Sequence, residues 1–164
     1  MLVLSAGWAG CNGESEAAKP TAKPSAITVA ADGTHEITLT GDDTKRYNVS
    51  RLEVPPGAKV RLSFTNTGKM PRATMAHNFV LVADAQRLPE FIVKAALAGE
   101  PAYLPEGFDD YILASTKMAG PGETVNVTFT APEQPGGYPF VCTFPAHFDS
   151  GMQGVLVVTG DGDS

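Results

Sequence analysis

Hydrophobic and polar residues alternate with a period of two along most of the chain. In Lys59-Val60-Arg61-Leu62-Ser63-Phe64, Val60, Leu62 and Phe64 fall on one face, and Lys59, Arg61 and Ser63 on the other. That is the pattern of a half-buried strand. His35-Glu36-Ile37-Thr38-Leu39 repeats it, with Ile37 and Leu39 together, and so does Thr124-Val125-Asn126-Val127-Thr128-Phe129. Further strands are predicted from Ala26 to Val29, at Leu52 and Val54, and in the near-continuous apolar run Asn78-Phe79-Val80-Leu81-Val82. Tyr138-Pro139-Phe140-Val141-Cys142 and Gly154-Val155-Leu156-Val157-Val158 close the set. Pro55-Pro56-Gly57 and Gly120-Pro121-Gly122 supply turns between them. Short alternating strands joined by Gly/Pro turns predict an all-β sandwich. One stretch departs from the pattern. Leu88, Phe91, Ile92 and Ala95 recur at helical spacing, Pro89 suits a first turn and Gly99 a stop, so one inserted helix is expected at about 86–98.

The ends read differently. Met1 to Gly10 is apolar and small-residue-rich and ends at Cys11, and Trp8-Ala9-Gly10-Cys11 resembles the lipobox of bacterial lipoproteins. That resemblance implies a partial signal segment over 1–10 and lipidation of Cys11. Residues 11–25 are polar and Pro-containing and cannot bury enough surface to offset their ordering entropy, so they read as a flexible linker. The domain is expected over 26–159, followed by a disordered tail at 160–164. No run approaches the ~18 apolar residues of a membrane-spanning helix.

Composition narrows the functions. The chain has 164 residues, which suits one domain, and a formal net charge of −6, which disfavours nucleic acid because a phosphate backbone wants a basic face. Gly 17 and Pro 13 fit many turns. The 2 Cys and 3 His limit the chemistry. Only Cys142 lies in the domain, too few for an oxidase-type binuclear copper centre, and only His35 lies outside the clusters described next, too few for a trinuclear cluster or a separate catalytic copper.

The chemistry sits near the C-terminus. Cys142 ends a strand, His147 follows five residues later and Met152 five after that, just before the last strand. Upstream, Met75-Ala76-His77-Asn78 opens the apolar strand. One thiolate, two imidazoles and a thioether match a trigonal His₂Cys copper site with a weak axial Met. Soft sulfur donors favour Cu(I), and imidazole serves either oxidation state. Zinc would want a better fourth ligand than Met. A Cys–His hydrolase would need an activated thiolate, which a Cys closing an apolar strand supplies poorly.

Cys142-Thr143-Phe144-Pro145-Ala146-His147 and Met75-Ala76-His77-Asn78-Phe79-Val80-Leu81 resemble the two copper-binding segments of azurins, and Thr116-Lys117-Met118 with Gly120-Pro121-Gly122-Glu123 is similar too. The Cys-x4-His-x4-Met spacing is closer to that of auracyanins, membrane-tethered relatives. The resemblance implies a cupredoxin Greek-key sandwich holding one copper ion that cycles between Cu(I) and Cu(II). It implies that His77, Cys142 and His147 are equatorial ligands, Met152 the weak axial ligand and the Ala76 carbonyl a weak contact opposite, where azurins have glycine. Asn78 and Thr143 would tie the two segments together, and the Phe144 N–H would bond the sulfur. Met75, Pro145, Ala146 and Phe148 would form an apolar rim around an exposed edge of His147. The family's buried Trp is missing, since Trp8 is the only one, and so is its disulfide.

The function implied is one-electron transfer without substrate chemistry, in a monomer. Its partners would be c-type cytochromes or membrane electron-transport complexes, reached from the bacterial periplasm or cell surface through a lipid anchor at Cys11. The rival in a different class is a copper-binding lipoprotein for delivery or storage.

Overall fold

The computed structural model describes residues 26–160. The segment and linker expected over 1–25, with the lipidation site Cys11, lie outside the described residues, as does the end of the tail beyond 160.

Among the described residues, nine strands form two sheets. In chain order they are β1 (Ile27–Val29), β2 (His35–Gly41), β3 (Arg51–Val54), β4 (Lys59–Asn66), β5 (Val80–Val82), β6 (Ile112–Ser115), β7 (Thr124–Thr130), β8 (Gly136–Val141) and β9 (Gln153–Val158). The first sheet runs β1-β2-β4-β7 and the second β3-β9-β8-β5-β6. The β2–β4 and β3–β9 pairs are parallel, and the others are antiparallel. Each sheet thus joins strands distant in the sequence, as an all-β sandwich requires.

The alternation sets which faces meet. Ile37 and Leu39 of β2, with Val60, Leu62 and Phe64 of β4, are at most 1% exposed. They pack against Leu52, Val54, Phe79, Leu81, Phe140, Leu156 and Val158 from the other sheet side. The outward residues Lys59 and Arg61 are exposed.

The helix falls where expected, as α2 (Leu88–Ala98), with Pro89 in its first turn and Gly99 beyond its end at φ 70°. Its inner residues Leu88 and Phe91 join Phe108, Tyr111, Val80, Val82 and Val141 in a second apolar cluster. The second sheet is therefore covered on both faces around β5 and β8. That is why 79–82 reads as an unbroken apolar run. Two elements were not expected: β6, and a single-turn helix α1 (Arg72–Met75) that starts after Pro71 and ends at Ala76 in extended conformation.

Candidate metal centre

The α1 turn delivers Met75, Ala76 and His77 into β5. His77 is pinned before it reaches the strand: its N–H donates to the Ala119 carbonyl at 3.0 Å, and Ala119 returns a bond to the His77 carbonyl at 2.7 Å. The loop from β8 to β9 carries Cys142, His147 and Met152. The loop is closed by the Cys142 N–H to the Met152 carbonyl (3.1 Å) and the Met152 N–H to the His147 carbonyl (2.9 Å). These bonds place the loop by backbone, so its side chains need not hold it.

Three donor atoms converge. Nδ1 of His77 lies 3.0 Å from Nδ1 of His147, and the Cys142 sulfur lies 4.0 Å and 3.6 Å from the same two atoms. The donor atoms of the three residues all lie within 4.8 Å of one another, and all three residues are buried. Met152 is fully buried in the core beside Cys142, with its methyl group against Gly41, where a Cβ would collide with it. Ala76 is 3% exposed and directly precedes His77.

The electrostatics favour neutral imidazoles and an un-ionised thiol when no cation is near. Burial pushes the Cys142 thiol up to about 12, while the backbone N–H groups of Asn78 and Phe144 bond the sulfur and pull the other way. Burial lowers His147 to about 4, helped by the neighbouring His77 and by Lys45. Burial lowers His77 as well. Two neutral imidazoles bring their Nδ1 atoms within 3.0 Å of each other beside a sulfur in a buried pocket. A soft cation there would satisfy all three, so the donor set fits copper.

Around the donors the two segments are stitched together. Asn78 donates through Nδ2 to the Thr143 hydroxyl at 2.8 Å and accepts the Thr143 N–H through Oδ1 at 2.9 Å. Both residues are buried. Three supporting residues have no counterpart in the sequence-based expectations. Tyr47 donates its hydroxyl to the Asn78 carbonyl at 2.7 Å, and burial holds its phenol well above the usual range. Asn66 donates to the carbonyls of Met75 and Ala119, the residues on either side of the His77 clamp. Ala119 supplies that clamp.

His147 is 1% exposed. The Phe144 ring packs on it with centroids 4.6 Å apart, and Tyr103 packs on Phe144 at 5.3 Å. Of the residues expected to surround it, Pro145 and Ala146 are exposed, Phe148 is half-buried and Met75 is buried. His35 sits in β2, away from the three donors, as a strand residue.

Comparison with known proteins agrees with the geometry. Residues 34–159 match the profile of copper binding proteins of the plastocyanin/azurin family. An azurin of Pseudomonas fluorescens biotype A is 33% identical over 127 residues, covering 75% of this chain and 97% of the azurin. Among solved structures, the dithionite-reduced auracyanin of Roseiflexus castenholzii has a TM-score of 0.69 at 35% identity, covering 76% of this chain and 97% of its own. Auracyanin A of Chloroflexus aurantiacus, described as a blue copper protein, also has a TM-score of 0.69, at 32% identity, covering 77% of this chain and all of its own.

Proposed function

Because the chain belongs to the plastocyanin/azurin family of copper-binding proteins, we propose which of its residues serve the family's electron-carrying work and where that work is done. The chain is a type 1 blue copper electron-transfer protein. When bound, one copper ion supplies the one-electron Cu(I)/Cu(II) couple. His77 and His147 would hold it through Nδ1, and Cys142 through its thiolate. Met152 would supply a weak thioether donor, and the Ala76 carbonyl a weak contact. Asn78 and Thr143 keep the two ligand segments in register, and the N–H groups of Asn78 and Phe144 steady the sulfur in its charged form. Residues locked by their own hydrogen bonds rearrange little when an electron arrives or leaves.

The observation that carries this reading is the convergence of two imidazole nitrogens and a sulfur in a fully buried pocket. The same burial counts against a Cys–His hydrolase. A thiol pushed up to about 12 is a poor nucleophile, and Cys142 is 0% exposed. The protein is accordingly read as a carrier and not an enzyme. We assign the apolar contact for partners to the rim of Pro145, Ala146, Phe148 and Met75, and take those partners to be c-type cytochromes or membrane electron-transport complexes. We place the protein in the periplasm or at the cell surface, tethered through Cys11 and the linker that follows. No helix among the described residues is long and apolar enough to cross a membrane.

The test is a Cu(II) titration of the purified full chain, followed by visible absorption and EPR. We expect an intense thiolate-to-copper band with narrow copper hyperfine splitting, saturating at one equivalent and absent in Cys142→Ser. A colourless complex with ordinary square-planar EPR would overturn the electron-carrier reading and bring copper delivery or storage forward.

A further inference from the structure

We propose that the Tyr47 hydroxyl is a positioning group for the metal site, acting on Cys142 through Asn78. This rests on the copper reading above. Tyr47 lies in the connection between β2 and β3, 31 residues before Asn78, and is 9% exposed. Its O–H donates to the Asn78 carbonyl at 2.7 Å. Asn78 itself works in three directions. Its carbonyl meets Tyr47, its N–H meets the Cys142 sulfur, and its side-chain amide closes a two-bond ring with Thr143, the residue after Cys142. One residue therefore links the phenol to the sulfur and to the peptide beside it.

The phenol ring is fixed independently of its hydroxyl. It stands edge-on to Phe64, with centroids 5.9 Å apart and planes at 84°, and to Phe140, at 5.3 Å and 60°. A ring held by the core presents its O–H from a fixed point. The bond it makes fixes the Asn78 carbonyl, and with it the setting of the Asn78 N–H on the sulfur. Hydrogen bonds to a ligating sulfur draw density from the thiolate and favour the reduced metal. Without the hydroxyl, the Asn78 carbonyl is left unpaired in an apolar setting and the residue gains freedom to shift.

Tyr47→Phe removes only the oxygen and leaves the ring in place. The fold supplies a matched control. Tyr111 is 1% exposed and donates its hydroxyl to the Asp84 carbonyl at 2.6 Å, but it belongs to the cluster on the other face of the second sheet. Tyr111→Phe therefore loses the same kind of bond away from the metal. Both variants, as full chains, should lose stability in the metal-free form, Tyr47→Phe the more because its bond is buried and that of Tyr111 is part-buried.

Only Tyr47→Phe should lower the reduction potential, broaden the copper EPR signal and speed copper loss to a chelator. In the metal-free protein, only Tyr47→Phe should speed amide hydrogen exchange at Thr143, whose N–H bonds Asn78, by about fivefold, the weight of one ordinary hydrogen bond. The proposal is overturned if Tyr47→Phe keeps the wild-type potential and Thr143 exchange while losing stability, or if Tyr111→Phe shifts both equally. Wild-type protein without a thiolate–copper band would instead overturn the copper reading. Thr143 exchange in the metal-free protein would still decide whether Tyr47 holds Asn78.

Discussion

Asn66 illustrates how a single side chain sets the backbone of a ligand. It is 1% exposed, and its amide is fully used: Nδ2 donates to the Met75 carbonyl at 3.0 Å and the Ala119 carbonyl at 3.1 Å, and Oδ1 accepts the Gly68 N–H at 2.9 Å. Asn66→Leu keeps the volume but strips a partner from the Met75 carbonyl beside Ala76. A buried group left unsatisfied costs about 1–3 kcal/mol. We expect the metal-free variant to be destabilised by about 2 kcal/mol in urea unfolding, and an unchanged midpoint would contradict this role for Asn66. Neither Asn66 nor Tyr47 is legible in the sequence. Asn66 stands in Thr65-Asn66-Thr67-Gly68, which reads as a turn, and Tyr47 follows the polar run Asp42-Asp43-Thr44-Lys45-Arg46. Their partners lie 9 to 53 residues away, and only the fold brings them together. His77, Cys142, His147 and Met152 are legible because metal chemistry demands a rare set of atoms, and one short loop supplies three of them. The burial of His147 was hidden for the opposite reason. Exposure depends on what packs on the ring, and Phe144 does so from three residues away at an angle no pattern specifies.

At the scale of elements, β5 shows how one strand serves two cores. Phe79 and Leu81 face the sandwich interior, and Val80 and Val82 face the cluster beneath α2. The Cys142 sulfur lies on the first side, since Cys142 belongs to the interior cluster. Damage under α2 should therefore cost stability without touching the copper. Phe91 is 0% exposed and packs on Phe108 and Tyr111, with centroids 5.4 Å away in each case. We expect Phe91→Ala to cost about 3–5 kcal/mol, the usual range for a buried aromatic. The position and intensity of the thiolate–copper band should stay unchanged in the protein that remains folded. A shifted band would mean that the two cores are coupled through β5. Strands with one wet face, such as β4 and β7, were legible from their alternation, and β5, covered on both faces, from its unbroken apolar run. β6 escaped because only Ala114 of its four residues is fully buried, so Ile112-Leu113-Ala114-Ser115 shows no period. The α1 turn escaped because four residues are too few to display helical spacing.

For the whole molecule, the question is whether copper builds the site or finds it built. Both ligand-bearing segments belong to the second sheet, and the first sheet's side braces them from across the sandwich through Tyr47, Asn66 and Gly41. Every one of those braces is a protein–protein contact that needs no metal. The Cys142–Met152 and His147–Met152 backbone bonds and the Asn78–Thr143 ring likewise close the loop without it. The metal-free protein should then be folded and cooperative, unlike a zinc finger, which collapses when its ion is removed. Copper adds stability only by mass action, about 2.7 kcal/mol at a free concentration one hundred times the Kd. Unfolding the copper-loaded and chelator-treated proteins side by side separates the two cases. We expect one sharp transition in each and a near-ultraviolet circular dichroism spectrum that chelation leaves in place. The copper-loaded midpoint should rise with copper concentration in the wild type and stay flat in Cys142→Ser. A chelated protein with no cooperative transition would mean that the hydrogen bonds around the donors depend on the ion. The rigidity that the fold lends to electron transfer would then belong to the metal and not to the sandwich.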